Sequence, residues 1–304
     1  MRGRPAKVFE EDLVGRGLFP RELGLPKSRA GKTAVASAAV PKRKTPDKPD
    51  LVLVHSFYAN SILLRGLIEF LELRFRVHAV DLPGFAAHEA PLPSVSVDGF
   101  AAHVARRIRD LGLKSYLLGG ISFGFTVVGR VSLPAGCRGI VAIFPYLGAD
   151  SLALSRRRQI VYRTVVNFVA ATRLGGPLWR SKAVERFAFW WSSYPHERVR
   201  LILDHMDGRT FFDTARIILN QSDGARFHPL PHVLVLNPRD ATVRSDFCLA
   251  YFRRKVSDLC LVETDLDHYP VEPTREYFEA RFDPDDLTRA REFLEARAPE
   301  PLKP

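Results

Sequence analysis

Short, continuous apolar runs alternate along the chain with longer segments whose apolar residues recur at helical spacing. The segment 97–111, for example, places Phe100, Val104, Ile108 and Leu111 on one face of a helix. Strands that are apolar throughout are buried on both faces, and such strands joined by helices form parallel α/β sheets. The pattern therefore predicts a mostly parallel sheet flanked by helices. Its predicted strands are 51–54, 77–80, 115–119, 139–144, 233–236 and 259–262, and further helices are predicted at 62–73 and 285–296.

The segment between Phe144 and Val233 lacks any run that is typical of a buried strand. Apolar residues recur there at helical spacing instead. We therefore interpret residues 147–231 as a helical cap inserted between two strands of a core domain, which comprises residues 49–146 and 232–298. The predicted helices of the cap are 160–171, 183–191, 199–206 and 211–219.

Residues 1–48 are basic and rich in proline, which predicts a partly disordered N-terminal extension. The net charge of the chain is +11; residues 1–50 carry 12 Lys and Arg against 6 Asp and Glu, and residues 147–231 carry 13 against 7. The predicted core is therefore close to neutral. No nucleic-acid partner is expected, because no nucleic-acid-binding motif accompanies the charge. A solvated arginine-rich surface is the simpler interpretation, and weak attraction to a membrane surface or an anionic substrate is the alternative.

The sequence predicts neither a membrane-spanning helix nor a secretory signal. No uncharged run reaches the length that spans a bilayer, and the N-terminus has no apolar signal-peptide core. Cys137, Cys248 and Cys260 are widely spaced and form neither a metal-binding pattern nor a disulfide framework. We therefore expect a cytoplasmic protein that binds no metal.

The predicted strand at 115–119 leads into Gly120-Ile121-Ser122-Phe123-Gly124, a G-x-S-x-G pattern. A sharp turn from strand to helix projects a serine hydroxyl clear of the sheet, and the strained backbone requires small residues two positions away on either side. The N–H group of Phe123, at the start of the following helix, is placed to stabilise an oxyanion. Ser122 is therefore a candidate nucleophile, although the pattern alone also occurs by chance.

A serine nucleophile requires a general base and a carboxylate that orients the base. Asp240 lies in a tight turn after the predicted strand 233–236, and His268 lies in the loop after the predicted strand 259–262. The carboxyl ends of parallel strands meet at one edge of a sheet, so we expect Ser122, Asp240 and His268 to lie together there. Asp150, which follows an earlier strand, is the rival candidate for the acid.

These residues give the chain a resemblance to capped α/β-hydrolases of the serine hydrolase type, over roughly residues 50–297. The resemblance implies a mostly parallel α/β-hydrolase sheet flanked by helices, with a helical cap inserted between the sixth and seventh strands. It also implies that Ser122 is the nucleophile, Asp240 the acid and His268 the base of a catalytic triad. The order of the three residues along the chain is that of this fold.

Two further segments carry the resemblance. Asp-Leu-Pro-Gly-Phe at 81–85 resembles the D-x-P-G-x turn of the family, and Phe57 and Phe123 resemble the residues whose backbone N–H groups form the oxyanion hole. The family usually has His-Gly after the strand that ends at Val54, where this chain has His55-Ser56. We interpret His55 as a structural residue packed under the oxyanion loop rather than as a second base.

The function implied by the resemblance is hydrolysis of an ester or related acyl compound with a sizeable apolar portion, through an acyl-enzyme and without any cofactor. The partner expected is thus a small-molecule acyl substrate, and the oligomeric state is open. Carbon–carbon bond hydrolysis, peptide hydrolysis and acyl transfer use the same triad. A non-catalytic scaffold that binds a ligand or protein is the alternative from another class, and the altered loop at His55-Ser56 motivates it. The aromatic residues at 187–191 and Tyr194 either pack the cap on the core or line an acyl pocket.

Overall fold

The computed structural model describes residues 48–179, 181, 196–222, 225–270 and 273–297. The predicted extension at 1–48, apart from its last residue, lies outside this part of the chain. So do the predicted helix at 183–191 and the aromatic residues at 187–191 and Tyr194.

Six strands form one sheet in which every pair of neighbours is parallel. Their spatial order is β2-β1-β3-β4-β5-β6. The predicted fold class is confirmed, and each strand lies within about two residues of its predicted position. The strands are β1 (Asp50–Val54), β2 (Arg76–Val80), β3 (Tyr116–Ile121), β4 (Cys137–Ile143), β5 (His232–Leu236) and β6 (Leu259–Glu263).

Helices cover both faces of the sheet and separate the core into two apolar clusters. Val52 and Val54 of β1 face one cluster, around Phe100, whereas Leu51 and Leu53 face the other, around Phe70. Side chains alternate between the faces of a strand, so a run that is apolar at every position is buried on both. The helices are α1 (Arg65–Leu71), α2 (Val97–Leu111), α3 (Phe123–Val128), α4 (Arg156–Ala171), α5 (Gly175–Trp179), α6 (His196–His205), α7 (Gly208–Asn220), α8 (Ser245–Lys255), α9 (Arg275–Arg281) and α10 (Pro284–Arg297).

Helices α4 to α7 lie between β4 and β5, the fourth and fifth of the six described strands. The predicted position of the insertion, between a sixth and a seventh strand, follows the numbering of the family, in which two strands come before the one that corresponds to β1; residues 1–47 lie outside the described part of the chain. Helix α7 rests on the core at the turn after β2, because the Asp207 N–H donates to the Gly84 carbonyl at 2.7 Å. Gly84 has φ +80°, and a Cβ at this position would collide with the side chain of Thr210. The turn therefore requires glycine twice over, for its backbone and for this contact.

A helix that crosses a membrane must be both long and apolar. Among the described residues, no helix combines the length and the apolar character needed to cross a bilayer.

Candidate active site

Ser122 connects β3 to α3 in a strained backbone conformation, with φ 49° and ψ −117°. The flanking glycines make this turn possible. A Cβ on Gly120 would lie 2.6 Å from backbone atoms of Phe125, and a Cβ on Gly124 would lie 2.6 Å from the Val54 carbonyl oxygen. The predicted tight turn is therefore present, and its two glycines are required by close backbone approach rather than by chance.

The packing of Gly124 on the end of β1 places the loop after β1 beside Ser122. Phe123 is the first residue of α3, where the N–H group has no acceptor within its own helix. Phe57 follows in the loop from β1, and its ring stacks on Phe211 of α7 with 4.7 Å between ring centroids. Both predicted oxyanion residues thus belong to segments that meet at the strand-to-helix turn.

His55 holds the loop after β1 in place through two hydrogen bonds of its side chain. Its side chain is buried, and its Nδ1–H group donates to the Ser56 carbonyl at 2.8 Å while Nε2 accepts the Leu82 N–H at 2.9 Å. Burial lowers the pKa of His55, so the ring is held neutral in the tautomer that satisfies both bonds. The interpretation of His55 as a structural residue is confirmed, since neither ring nitrogen is free to act as a base.

His268 and Asp240 form a buried pair. The Nδ1 atom of His268 lies 2.8 Å from Oδ2 of Asp240, and their side chains are 3% and 0% exposed. The other carboxylate oxygen, Oδ1, accepts the N–H groups of Thr242 at 2.7 Å and Val243 at 3.2 Å. These bonds fix the carboxylate, which in turn holds the imidazole with its proton on Nδ1. Asp150, the rival acid, is exposed in a short 3₁₀ turn after β4.

The Nε2 atom of His268 is buried and has no hydrogen-bond partner among the described residues, Ser122 included. With the proton of the neutral ring on Nδ1, the lone pair on Nε2 is therefore not engaged by any described residue. Catalytic hydrogen bonds often tighten only when substrate is bound, so an open Ser–His contact is compatible with a triad.

Phe144 connects the histidine to the serine turn. Its ring lies 5.5 Å from the ring of His268, and the carbonyl of the preceding residue, Ile143, accepts the Ser122 N–H at 2.9 Å. Ser122 and His268 therefore both contact the same short segment, at the carboxyl edge of the sheet. The structure brings all three predicted triad residues to this edge.

Asn237, which the sequence did not single out, links the loops of the acid and the base. Its buried side chain donates from Nδ2 to the Leu266 carbonyl at 2.9 Å and accepts the Arg239 N–H on Oδ1 at 2.8 Å. Its carbonyl accepts the Asp240 N–H at 3.0 Å and the Ser245 hydroxyl at 2.6 Å. No sequence pattern distinguishes an asparagine that closes such a link from one in an ordinary turn.

Helix α7 covers the site. Phe211 contacts Phe57 on the core and Trp179 of α5, whose ring centroid is 4.6 Å away. Further along the same helix, the Ile218 carbonyl accepts the hydroxyl of Tyr146, whose N–H donates to the Ser122 carbonyl at 3.1 Å. Ser122 itself is only 5% exposed. Aromatic residues of α5 and α7 therefore form a wall against the loop of Phe57, which lies next to the serine turn.

The turn after β2 has a structural role. The carboxylate of Asp81 accepts both the N–H and the hydroxyl of Ser61 at 2.6 Å. His88 lies 3.3 Å from the same carboxylate. Asp81 is thus occupied in holding the loop after β1 against β2.

Comparison with known proteins identifies the fold. A family model described as the alpha/beta hydrolase fold matches residues 49–152. The pimeloyl-[acyl-carrier protein] methyl ester esterase of Vibrio vulnificus is 35% identical over 85 residues, which are 28% of this chain and 31% of that protein. The enzyme of the same name from Nitrosomonas europaea is 34% identical over 99 residues, or 32% and 37% of the two chains. The matched region thus spans about a third of the length of these relatives.

Solved structures match over most of the chain. An epoxide hydrolase of Bacillus megaterium has a TM-score of 0.58 at 13% identity, covering 82% of this chain and 94% of its own. A thermophilic esterase of Thermogutta terrifontis has a TM-score of 0.53 at 19% identity, covering 83% and 91%. At these identities, the likeness shows the fold alone.

Proposed function

We propose that this chain, which has the fold of the α/β-hydrolase superfamily, is a serine hydrolase that cleaves an ester or related acyl compound. One observation carries the proposal: a buried His268–Asp240 pair lies at the same sheet edge as the strained Ser122 turn, and the Nε2 atom of His268 has no partner in the described part of the chain. Nucleophile, base and orienting carboxylate are the minimum set for acyl transfer to a serine.

In the proposed reaction, Nε2 of His268 takes the proton of the Ser122 hydroxyl as its oxygen attacks the substrate carbonyl. The N–H groups of Phe123 and Phe57 donate to the oxyanion that forms. His268 then gives the proton to the leaving alcohol, which departs and leaves an acyl group on Ser122. A water molecule deprotonated by His268 attacks this ester, the bond between the acyl carbon and the Ser122 oxygen breaks, and His268 returns the proton to that oxygen as the acid leaves. Asp240 keeps the proton of neutral His268 on Nδ1, and it stabilises the imidazolium during both formation and hydrolysis of the acyl-enzyme.

The mechanism uses side-chain and backbone groups only and requires no cofactor. The bonds of Asp240 to Thr242 and Val243 hold the acid in place without substrate, so no rearrangement of the His–Asp pair is needed. Preorganisation of this kind is a large part of electrostatic catalysis.

The proposed substrate has a sizeable apolar acyl portion. The wall formed by Phe57, Phe211 and Trp179 supports this, because aromatic side chains beside a nucleophile favour apolar groups over water. The curated relatives are named as methyl ester esterases of a pimeloyl group on acyl-carrier protein. Their names support an ester as the bond cleaved, in preference to amide or carbon–carbon bonds.

The test is hydrolysis of a series of p-nitrophenyl esters of increasing chain length by the wild type and by Ser122→Ala. Ser132→Ala, an exposed serine shortly after α3, is the matched control. We expect Ser122→Ala to lose turnover by about 10⁴-fold or more while Ser132→Ala is unchanged. Equal rates in the two variants would contradict the proposal.

The alternative function is a non-catalytic scaffold that binds a ligand in the same place. Ser56 in place of glycine, buried in the loop of Phe57, favours it, because a Cβ there restricts how that loop presents its N–H groups. This alternative predicts no turnover of any ester. It also predicts that a ligand raises the melting temperature equally in the wild type and in Ser122→Ala.

A further inference from the structure

Helix α4 (Arg156–Ala171) has apolar residues on two faces. Its inner face packs on α7, with Val169 buried and with the Arg163 side chain donating to the Leu219 carbonyl at 3.0 Å. On its outer face, Ile160 and Val161 are each 56% exposed, Val165 is 51% exposed and Phe168 is 61% exposed. Burial of a large apolar side chain lowers the free energy of the protein in water. A group of such side chains left exposed therefore calls for an explanation.

The exposed residues form one continuous stripe. At about 100° per residue, positions 160, 161, 164, 165 and 168 fall within an arc of about 140°. The stripe is about 12 Å long, since eight steps of about 1.5 Å separate its ends. Thr164, the one polar residue in it, is exposed as well and donates its hydroxyl to the Ile160 carbonyl within the helix.

Positive charge lies at the N-terminal end of the stripe. Arg156, Arg157 and Arg158 are exposed in the first turn of the helix. Residues 151–184 contain seven Lys and Arg and no Asp or Glu. The combination of an exposed apolar face with a basic flank is typical of helices that lie in the surface plane of a membrane.

We propose that the outer face of α4 docks on the surface of a bilayer that contains anionic phospholipid. Ile160, Val161, Val165 and Phe168 enter the boundary between headgroups and acyl chains, and Arg156–Arg158 bind lipid phosphates. The helix lies on the membrane and does not cross it. This inference goes beyond the proposed hydrolysis, and it concerns binding at a surface separated from Ser122 by α7.

Two other occupants are disfavoured by charge and by size. A second copy of this chain would bring two sets of arginines together, which repel each other. An acidic protein would satisfy the charge, but a stable protein interface buries about 800 Å² on each partner, more than one stripe about 12 Å long provides. A bilayer needs no complementary shape and matches both the charge and the apolar stripe.

The test is cosedimentation of the full chain with vesicles of phosphatidylcholine, with and without about one third phosphatidylglycerol. All proteins carry Ser122→Ala, so that lipid hydrolysis cannot affect the result. One variant replaces Val161, Val165 and Phe168 with Ser, and a second replaces Arg156, Arg157 and Arg158 with Gln. The matched charge control replaces Arg253, Arg254 and Lys255, which are exposed at the end of α8, with Gln.

We expect binding to the anionic vesicles at low salt, little binding to pure phosphatidylcholine, and at least about a tenfold loss in each of the two α4 variants. The α8 control should lose much less. No binding of the parent protein to anionic vesicles would overturn the proposal, as would equal losses in the α4 and α8 charge variants. Binding to soluble polyglutamate as tight as to vesicles, and unaffected by the Val161, Val165 and Phe168 substitutions, would indicate an acidic polypeptide instead. Because hydrolysis is not measured, failure here leaves the proposed activity to its own test.

Discussion

The side-chain amide of Asn237 donates to the Leu266 carbonyl at 2.9 Å and so joins the loop of Asp240 to the loop of His268. The acid and the base come from neighbouring strands, β5 and β6, and each ends in an irregular loop. A 2.8 Å contact between two loop side chains requires that the loops keep a fixed separation. Asn237 is buried at the point where they meet and supplies that restraint.

Substitution Asn237→Leu should lower kcat by about 10- to 100-fold and change KM little, because it loosens the base without touching the substrate wall. The buried Leu266 carbonyl loses its donor, so the free energy of unfolding should fall by about 1–3 kcal/mol. The measurements are steady-state kinetics and denaturant unfolding. A shift in the pH profile of kcat/KM would distinguish a change at His268 from a general loss of folded protein. If both kcat and the pH profile were unchanged, Asn237 would have no positioning role.

Substitution Asp240→Asn should lower kcat by roughly 10³- to 10⁴-fold. The amide still accepts the Thr242 and Val243 N–H groups through its oxygen, so the loop should keep its fold. Its NH₂ group would face Nδ1 of His268 and favour the tautomer with the proton on Nε2, which cannot take the Ser122 proton. Asp150→Asn is the matched control, and its rate should equal that of the wild type. If Asp150→Asn were the inactive variant, the assignment of the acid would be reversed.

Substitution Gly124→Ala should destabilise the protein, because its Cβ would lie 2.6 Å from the Val54 carbonyl oxygen. Steric crowding of this kind costs about 1–3 kcal/mol. Gly176→Ala in α5 is the control: a Cβ there meets nothing within 4 Å. Alanine also favours helix over glycine, so the control should be neutral or more stable by less than about 1 kcal/mol. Equal melting temperatures for the two variants would count against close packing of the serine turn on β1.

Acid should destabilise the fold through His232, whose burial lowers its pKa from 6.5 to about 4. The unfolded chain binds a proton below pH 6.5 that the folded protein accepts only below about pH 4. Stability is therefore complete above pH 6.5 and falls as the pH drops toward 4, by about 3 kcal/mol from this residue.

The measurement is the free energy of unfolding across this pH range. His232→Leu should reduce the acid slope, because it removes the buried group that takes up the proton. An identical slope in His232→Leu and the wild type would exclude His232 as its source.

Much of the core was predictable because its strands are buried on both faces. The run 51–54 coincides with β1 apart from one residue, and the helix predicted at 97–111 has the same bounds as α2. The serine turn was predictable because two glycines at fixed spacing are needed for its backbone. The bounds of α1 were predicted too wide, since 62–64 and 72–73 are turns although their apolar residues continue the helical spacing.

The long-range contacts around the site were not predictable in detail. The stacking of Phe211 on Phe57 and the amide link of Asn237 join residues far apart in sequence, and no local pattern encodes such contacts. In the sequence, Asp240 was preferred to Asp150 only because it lies in the turn after the predicted strand 233–236. The structure adds a 2.8 Å contact between Asp240 and His268. The triad and oxyanion roles and the domain boundaries stay predictions.

The most direct test of the central claim is intact mass after treatment with a fluorophosphonate, which phosphonylates only an activated serine. We expect one adduct on the wild type, no adduct on Ser122→Ala, and a strongly slowed reaction in His268→Ala. An adduct that persists in folded Ser122→Ala, or no adduct on the folded wild type, would contradict the account.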